Sequence, residues 1–143
     1  MTLRDMTIVD GEFEVETRIL IVDDSPLVRD RLRQMLQQHA DWKVCGEAAS
    51  GRDALEKVKQ SAPDLIVLDF LMPGMNGLQA ARELGRMVPR VPILMFSMHL
   101  SRQFIDEARH VGVRGAVAKS NPLQLVEGVE ALLRDESYFA SVN

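Results

Sequence analysis

The chain has 143 residues, a formal net charge of −4, and is 46% hydrophobic and 27% charged. Such a length suits one domain that buries roughly 68–70% of its unfolded surface, and no apolar run approaches the roughly 18 residues of a membrane span. Lys and Arg are dispersed among acids, which speaks against direct nucleic-acid or membrane binding, and the lone Cys45 fits a buried structural thiol in a reducing, cytoplasmic setting.

Residues 1–17 carry acids throughout and no secretory core, so a poorly ordered, flexible extension is expected there. A first strand over Arg18 to Val22 exits into Asp23-Asp24-Ser25, and Ser25 before Pro26 marks a helix start carrying Leu27, Leu32, Met35 and Leu36. The second strand runs from Trp42 to Ala48, and a helix with Ala54, Leu55 and Val58 begins after Ser50. The third strand, Leu65 to Leu68, ends on Asp69 and is followed by a helix with Leu78, Ala81, Leu84 and Gly85. A fourth strand, Val91 to Phe96, exits at Ser97; its helix starts after Ser101 and carries Phe104, Ile105, Ala108 and Val111. The fifth strand, Gly115 to Ala118, exits at Lys119, and Asn121-Pro122 opens a last helix with Leu125, Val126, Val129, Leu132 and Leu133. Residues 135–143 form a tail or the start of a linker, leaving 18–134 as the domain.

Strands that alternate with helices and are apolar on nearly every residue imply a parallel sheet covered on both faces. The fold class is therefore α/β, a (βα)5 doubly wound five-stranded parallel sheet. In the order 2-1-3-4-5, strands 1 and 3 are neighbours at the topological switch point, where ligands bind at the carboxyl ends. Four strand ends then deliver Asp23-Asp24, Asp69, Ser97 and Lys119 to one crevice.

Three crowded carboxylates repel one another, and a hard divalent cation such as Mg2+ relieves that repulsion with oxygen ligands. Asp24 and Asp69 are the expected direct ligands, with Asp23 acting through water. A phosphoryl group attacked by Asp69 would have its oxygens held by Lys119, Ser97 and the metal. Each piece alone has a plainer explanation: Asp23-Asp24-Ser25 as a polar helix start, Asp69 and Ser97 as turn residues, Lys119 as a solvated amine. Their joint order at strand ends is what the plainer explanations do not produce.

From Arg18 to about Leu133 the sequence resembles the receiver family of two-component response regulators, whose fold is CheY-like and flavodoxin-like. The matching residues are Asp23-Asp24-Ser25, the block Asp69-Phe70-Leu71-Met72-Pro73-Gly74-Met75-Asn76-Gly77, Ser97 and Lys119. The resemblance implies that Asp69 accepts phosphate from a sensor histidine kinase, that Asp23, Asp24 and the Leu71 carbonyl organise Mg2+, and that Ser97 and Lys119 sense the phosphoryl group. It implies a switching domain rather than an enzyme, one that assists only its own phosphorylation and dephosphorylation. Ser97-Met98-His99, Lys119-Ser120 and Glu136-Ser137-Tyr138-Phe139 resemble the NarL/LuxR class, whose receivers usually precede a DNA-binding domain, and no such domain lies within these residues.

Several positions depart from the family pattern. Ala116 stands where receivers usually carry an aromatic ring, so the phosphorylated state is expected to act through repacking of the fourth helix around Phe104 or movement of the loop after Ser97. Ser120 replaces a common proline. Met98 is bulky and Leu71 apolar, an arrangement expected to screen the phosphoryl group from water and slow its loss.

Rival functions fit less well. An aspartyl-phosphate hydrolase of the haloacid-dehalogenase kind needs a second acid two residues after its nucleophile, where Leu71 stands, and Asp23-Asp24 would repel the phosphate of a flavin carrier. A receiver-like interaction module that works without phosphorylation is the alternative that Ala116 keeps open. Arg102, Arg109, His110 and Arg114 beside Asp106 and Glu107 read as a solvated mixed surface, which could equally dock a kinase, an output protein or a second receiver in a homodimer.

Overall fold

Strands that are apolar on successive residues need cover on both faces, and the helices between them provide it. A computed structural model describes residues 6–9 and 12–140, with strands β1 (Met6–Val9), β2 (Glu12–Val15), β3 (Thr17–Val22), β4 (Trp42–Ala48), β5 (Leu65–Asp69), β6 (Ile93–Ser97), β7 (Gly115–Ala118) and β8 (Tyr138–Phe139). The helices are α1 (Pro26–Leu36), α2 (Gly51–Ser61), α3 (Gly77–Met87), α4 (Arg102–His110) and α5 (Pro122–Leu133). The main sheet is parallel throughout, in the order β4-β3-β5-β6-β7-β8. Its first five strands are the anticipated 2-1-3-4-5 arrangement.

Alternation along the strands divides the core in two. Ile19, Ile21, Leu65, Val67, Leu94, Phe96 and Val117 pack against Leu32 and Leu36 of α1 and Leu125, Val129 and Leu132 of α5. Leu20, Val22, Ile66, Leu68, Met95 and Ala116 face the opposite way, onto α2, α3 and α4. Each helix start has an identifiable cause. Ser25, Ser50 and Ser101 accept hydrogen bonds from Val28, Asp53 and Phe104 amides, and Asn76 forms a reciprocal capping box with Gln79. Asn121, at the N-cap position of α5, makes no side-chain cap bond; Pro122 in the first turn opens the helix instead.

Three expectations need correction. The stretch before Arg18 contains β1 and β2, which pair antiparallel from Met6↔Val15 to Val9↔Glu12, while residues 1–5, 10 and 11 lie outside the described ones. The tail after residue 134 is not merely linker, because β8 joins the edge of β7 as a sixth strand; residues 141–143 lie outside the description. Cys45 is half-buried rather than buried, and burial pushes its thiol pKa up.

Candidate functional site

The pairing register builds the site. Val22 lies beside Leu68, so the next residues, Asp23 and Asp69, leave adjacent strands side by side. Ile19, Ile21, Leu65, Val67 and Val117 all face α1 and α5, and Asp23, Asp69 and Lys119 continue that alternation at the strand ends. Neighbouring strands are about 4.8 Å apart, so a residue after β7 needs a long side chain to reach β5 and β3. Lys119 makes that reach, its Nζ lying 2.9 Å from Asp23 Oδ2, 3.0 Å from Asp69 Oδ1 and 5.9 Å from the centre of the Phe96 ring it crosses.

Asp23 and Asp69 are buried, Asp24 is exposed, and one carboxylate oxygen from each lies within 4.8 Å of the others. Burial, together with the charges of Asp23 and Asp24, pushes the Asp69 pKa up against the opposing pull of Lys119. Burial disfavours the Lys119 charge, yet hydrogen bonds to Asp23 and Asp69 outweigh it and hold the ammonium pKa above its ordinary value. One ammonium is thus shared by two buried acids with a third at the mouth. An oxygen-only donor set in which acids outnumber the cation fits a hard divalent ion.

Backbone constraints hold Asp69 in place. A Cβ on Gly77 would meet the Asp69 carbonyl oxygen and lie 2.7 Å from Phe70 Cα, while the Gly77 amide donates to the Phe70 carbonyl at 2.8 Å. Gly74 turns the same loop at φ +79°, a conformation that favours glycine.

Sequence reasoning missed Arg29. Its guanidinium donates to the Asp23 carbonyl at 2.6 Å and to Glu47 Oε1 at 3.2 Å, tying α1 and β4 to the acidic loop. Arg33 also grips Glu47, at 2.9 Å through Nε. The signal was the one-turn spacing of Arg29 and Arg33 behind Asp23-Asp24, but Glu47 comes near them only through the β3–β4 pairing.

Ser97 does not join the acids. It is buried, but alternation turns it toward the α4 side, where its hydroxyl donates to the His99 carbonyl at 3.1 Å and accepts from the His99 amide at 3.4 Å. A cavity of about 390 Å³ on that side is lined by Phe70, Leu71, Ser97, His99 and Phe104, among others. Leu71 and Met98, the residues expected to screen the site, are 60% and 59% exposed. Among the described residues no helix is long and apolar enough to cross a membrane.

A family model described as the response regulator receiver domain matches residues 19–130. The sequence is 36% identical over 115 residues to the chemotaxis protein CheY of Thermotoga maritima, covering 80% of this chain and 93% of that one. It is 32% identical over 124 residues to the response regulator UvrY of Escherichia coli, covering 86% of this chain and 57% of that one. Among solved structures, a two-component response regulator of the LuxR family from Aurantimonas sp. SI85-9A1 matches with a TM-score of 0.83 at 33% identity, covering 86% of this chain and 89% of that one. The chain spans little more than half the length of curated relatives such as UvrY.

Proposed function

The chain belongs to the response regulator receiver family of two-component signalling, and on that premise we propose that Asp69 accepts a phosphoryl group from the phosphohistidine of a sensor kinase. An Asp69 carboxylate oxygen attacks phosphorus, the phosphorus–nitrogen bond of the donor breaks, and its electron pair returns to the imidazole nitrogen. The supporting observation is that, among the described residues, one ammonium, that of Lys119, is shared by Asp23 and Asp69, which leaves the three-acid cluster short of positive charge where a phosphoryl group would arrive.

Asp24, Asp69 and the Leu71 carbonyl are the proposed direct ligands of Mg2+, with Asp23 acting through water. Bound there, Mg2+ would supply positive charge against the acids and the phosphoryl oxygens. Lys119 stays charged across the physiological range, keeps its hold on Asp23, and turns from the Asp69 carboxylate to a phosphoryl oxygen. Ser97 must leave its bonds to His99 to contact the same group. The proposed domain organisation is a receiver over 18–134, with flanking segments at either end. The domain is not proposed to turn over a separate substrate; it acts in the cytoplasm and controls an output. In the whole protein that output is proposed to be transcription through a DNA-binding domain outside these residues.

Incubation with an acyl phosphate and Mg2+ tests the proposal. The expected result is an alkali-labile phosphoryl adduct on the wild type and none on Asp69→Asn. Equal labelling of both proteins would reject it.

A further inference from the structure

We propose that residues 134–140 form a strap that reports the state of the acidic site: docked on α4 and β7 in the conformation described, it is loosened when Asp69 is phosphorylated. The inference rests on the assignment of Asp69 as the acceptor.

The strap has a prepared seat. After α5 the chain turns at Asp135, φ +65°, where the Glu136 amide donates to the Ala131 carbonyl at 3.0 Å and Arg114 Nη2 bridges to Asp135 Oδ1 at 2.9 Å. The Tyr138 amide then donates to the Arg114 carbonyl at 3.1 Å, and the Ala140 amide to the Ala116 carbonyl at 3.0 Å. The two rings of β8 fall on opposite faces of the sheet. Tyr138 packs on the α5 side, its hydroxyl donating to Glu127 Oε2 at 2.7 Å. Two glycines make room for it: a Cβ on Gly115 would lie 2.6 Å from the Tyr138 carbonyl oxygen, and one on Gly128 would lie 3.3 Å from the ring.

Phe139 packs on the α4 side beside its register partner Ala116, and the Arg109 guanidinium lies 4.1 Å from its ring centre. Ala116 is fully buried and small, so the ring on this part of the sheet comes from the strap. Arg109 and Arg114, expected to be solvated, are both engaged by the tail.

The elements under the strap lead directly to the site. β7 ends at Ala118, one residue before Lys119, and α4 follows the loop that leaves β6 after Ser97. Phe70, next to Asp69, meets Phe104 of α4 edge to face at 5.0 Å. Because Ser97 is turned onto His99 and away from the acids, contact with a phosphoryl group on Asp69 breaks both of its bonds to the His99 backbone and releases the 97–101 loop to move. Ser101 caps α4, so the loop's movement shifts the helix, whose buried residues are Ile105 and Ala108. Arg109 moves with it and leaves Phe139. Binding at the site and docking of the strap then oppose each other, and the coupling runs equally in both directions.

Beryllofluoride with Mg2+, a mimic of the aspartyl phosphate, provides the test on the 143-residue chain. Amide exchange at Tyr138 and Ala140 is expected to quicken on saturation. Reciprocally, Phe139→Ala and Arg109→Gln should bind the mimic about two- to fivefold more tightly than wild type, the range of a partly exposed cation–π contact. Phe139→Leu, which keeps an apolar side chain on β8, guards against misfolding of the alanine variant and should shift affinity in the same direction. Unchanged exchange at both amides, or variants that bind equally or more weakly, overturns the strap alone. If the wild type binds no beryllofluoride, the acceptor assignment falls and the strap with it.

Discussion

Replacing Lys119 with methionine keeps an unbranched side chain of similar reach and removes the cation that bridges Asp23 and Asp69. At an effective dielectric constant near 20, charges 2.9 and 3.0 Å apart attract by about 5–6 kcal/mol each. Burial of the ammonium and both acids consumes much of that, and breaking such a buried pair costs about 3–5 kcal/mol. In metal-free buffer we expect Lys119→Met to lose up to that amount, roughly 10–20 °C of Tm for a domain of this size. Protonation of one acid will reduce the loss. Because the lysine competes with a metal for the same carboxylates, the variant should also bind Mg2+ more tightly than wild type, so that Mg2+ restores more stability to the variant. Thermal unfolding in chelator and in Mg2+, with a direct Mg2+ titration, measures both effects. Equal loss of Tm in the two buffers and unchanged Mg2+ affinity would show that Lys119 acts through packing and not charge.

Gly77→Ala places a methyl group against the Asp69 carbonyl and Phe70 Cα and should destabilise by about 1–3 kcal/mol, seen as a lower denaturation midpoint. Asp69→Asn should be more stable than wild type in metal-free buffer at neutral pH. The Asp69 pKa is raised on folding, so its ionised form costs stability, a cost that grows as pH climbs from the unfolded value of about 3.9 through the folded one. Denaturant titrations at several pH values should show the advantage shrinking as pH falls toward about 4; a less stable variant at neutral pH contradicts this. Arg29→Gln removes a charged donor from the Asp23 carbonyl and should cost about 1–3 kcal/mol, with Arg29→Lys intermediate because an ammonium lacks the planar fork that serves both the carbonyl and Glu47. Urea unfolding of the three proteins gives the ranking.

The sheet order was legible because apolar runs, caps and prolines punctuate the chain where the strands and helices meet, and Asp23, Asp69 and Lys119 fall on one face because alternation carries them there. The same alternation takes Ser97 to the other face, a consequence visible in the sequence once the strand bounds are fixed. Arg29 was hidden because its role depends on Glu47, which only the β3–β4 register brings near. β8 was hidden for a different reason. Two residues carry no period, and the fit of Tyr138 over Gly115 and Gly128 depends on packing rather than on any local pattern. Side-chain direction in the loops after β5 and β6 is not fixed by strand periodicity, so the exposure of Leu71 and Met98 was not legible either.

The central claim is that one carboxylate, Asp69, carries the phosphoryl group. Borohydride reduction of the protein after treatment with an acyl phosphate and Mg2+, followed by peptide mass mapping, reads the modified residue directly. The account predicts a reduced side chain at position 69 alone, dependent on Mg2+. Reduction at Asp23 or Asp24, or none anywhere in a protein that has taken up phosphate, would contradict it.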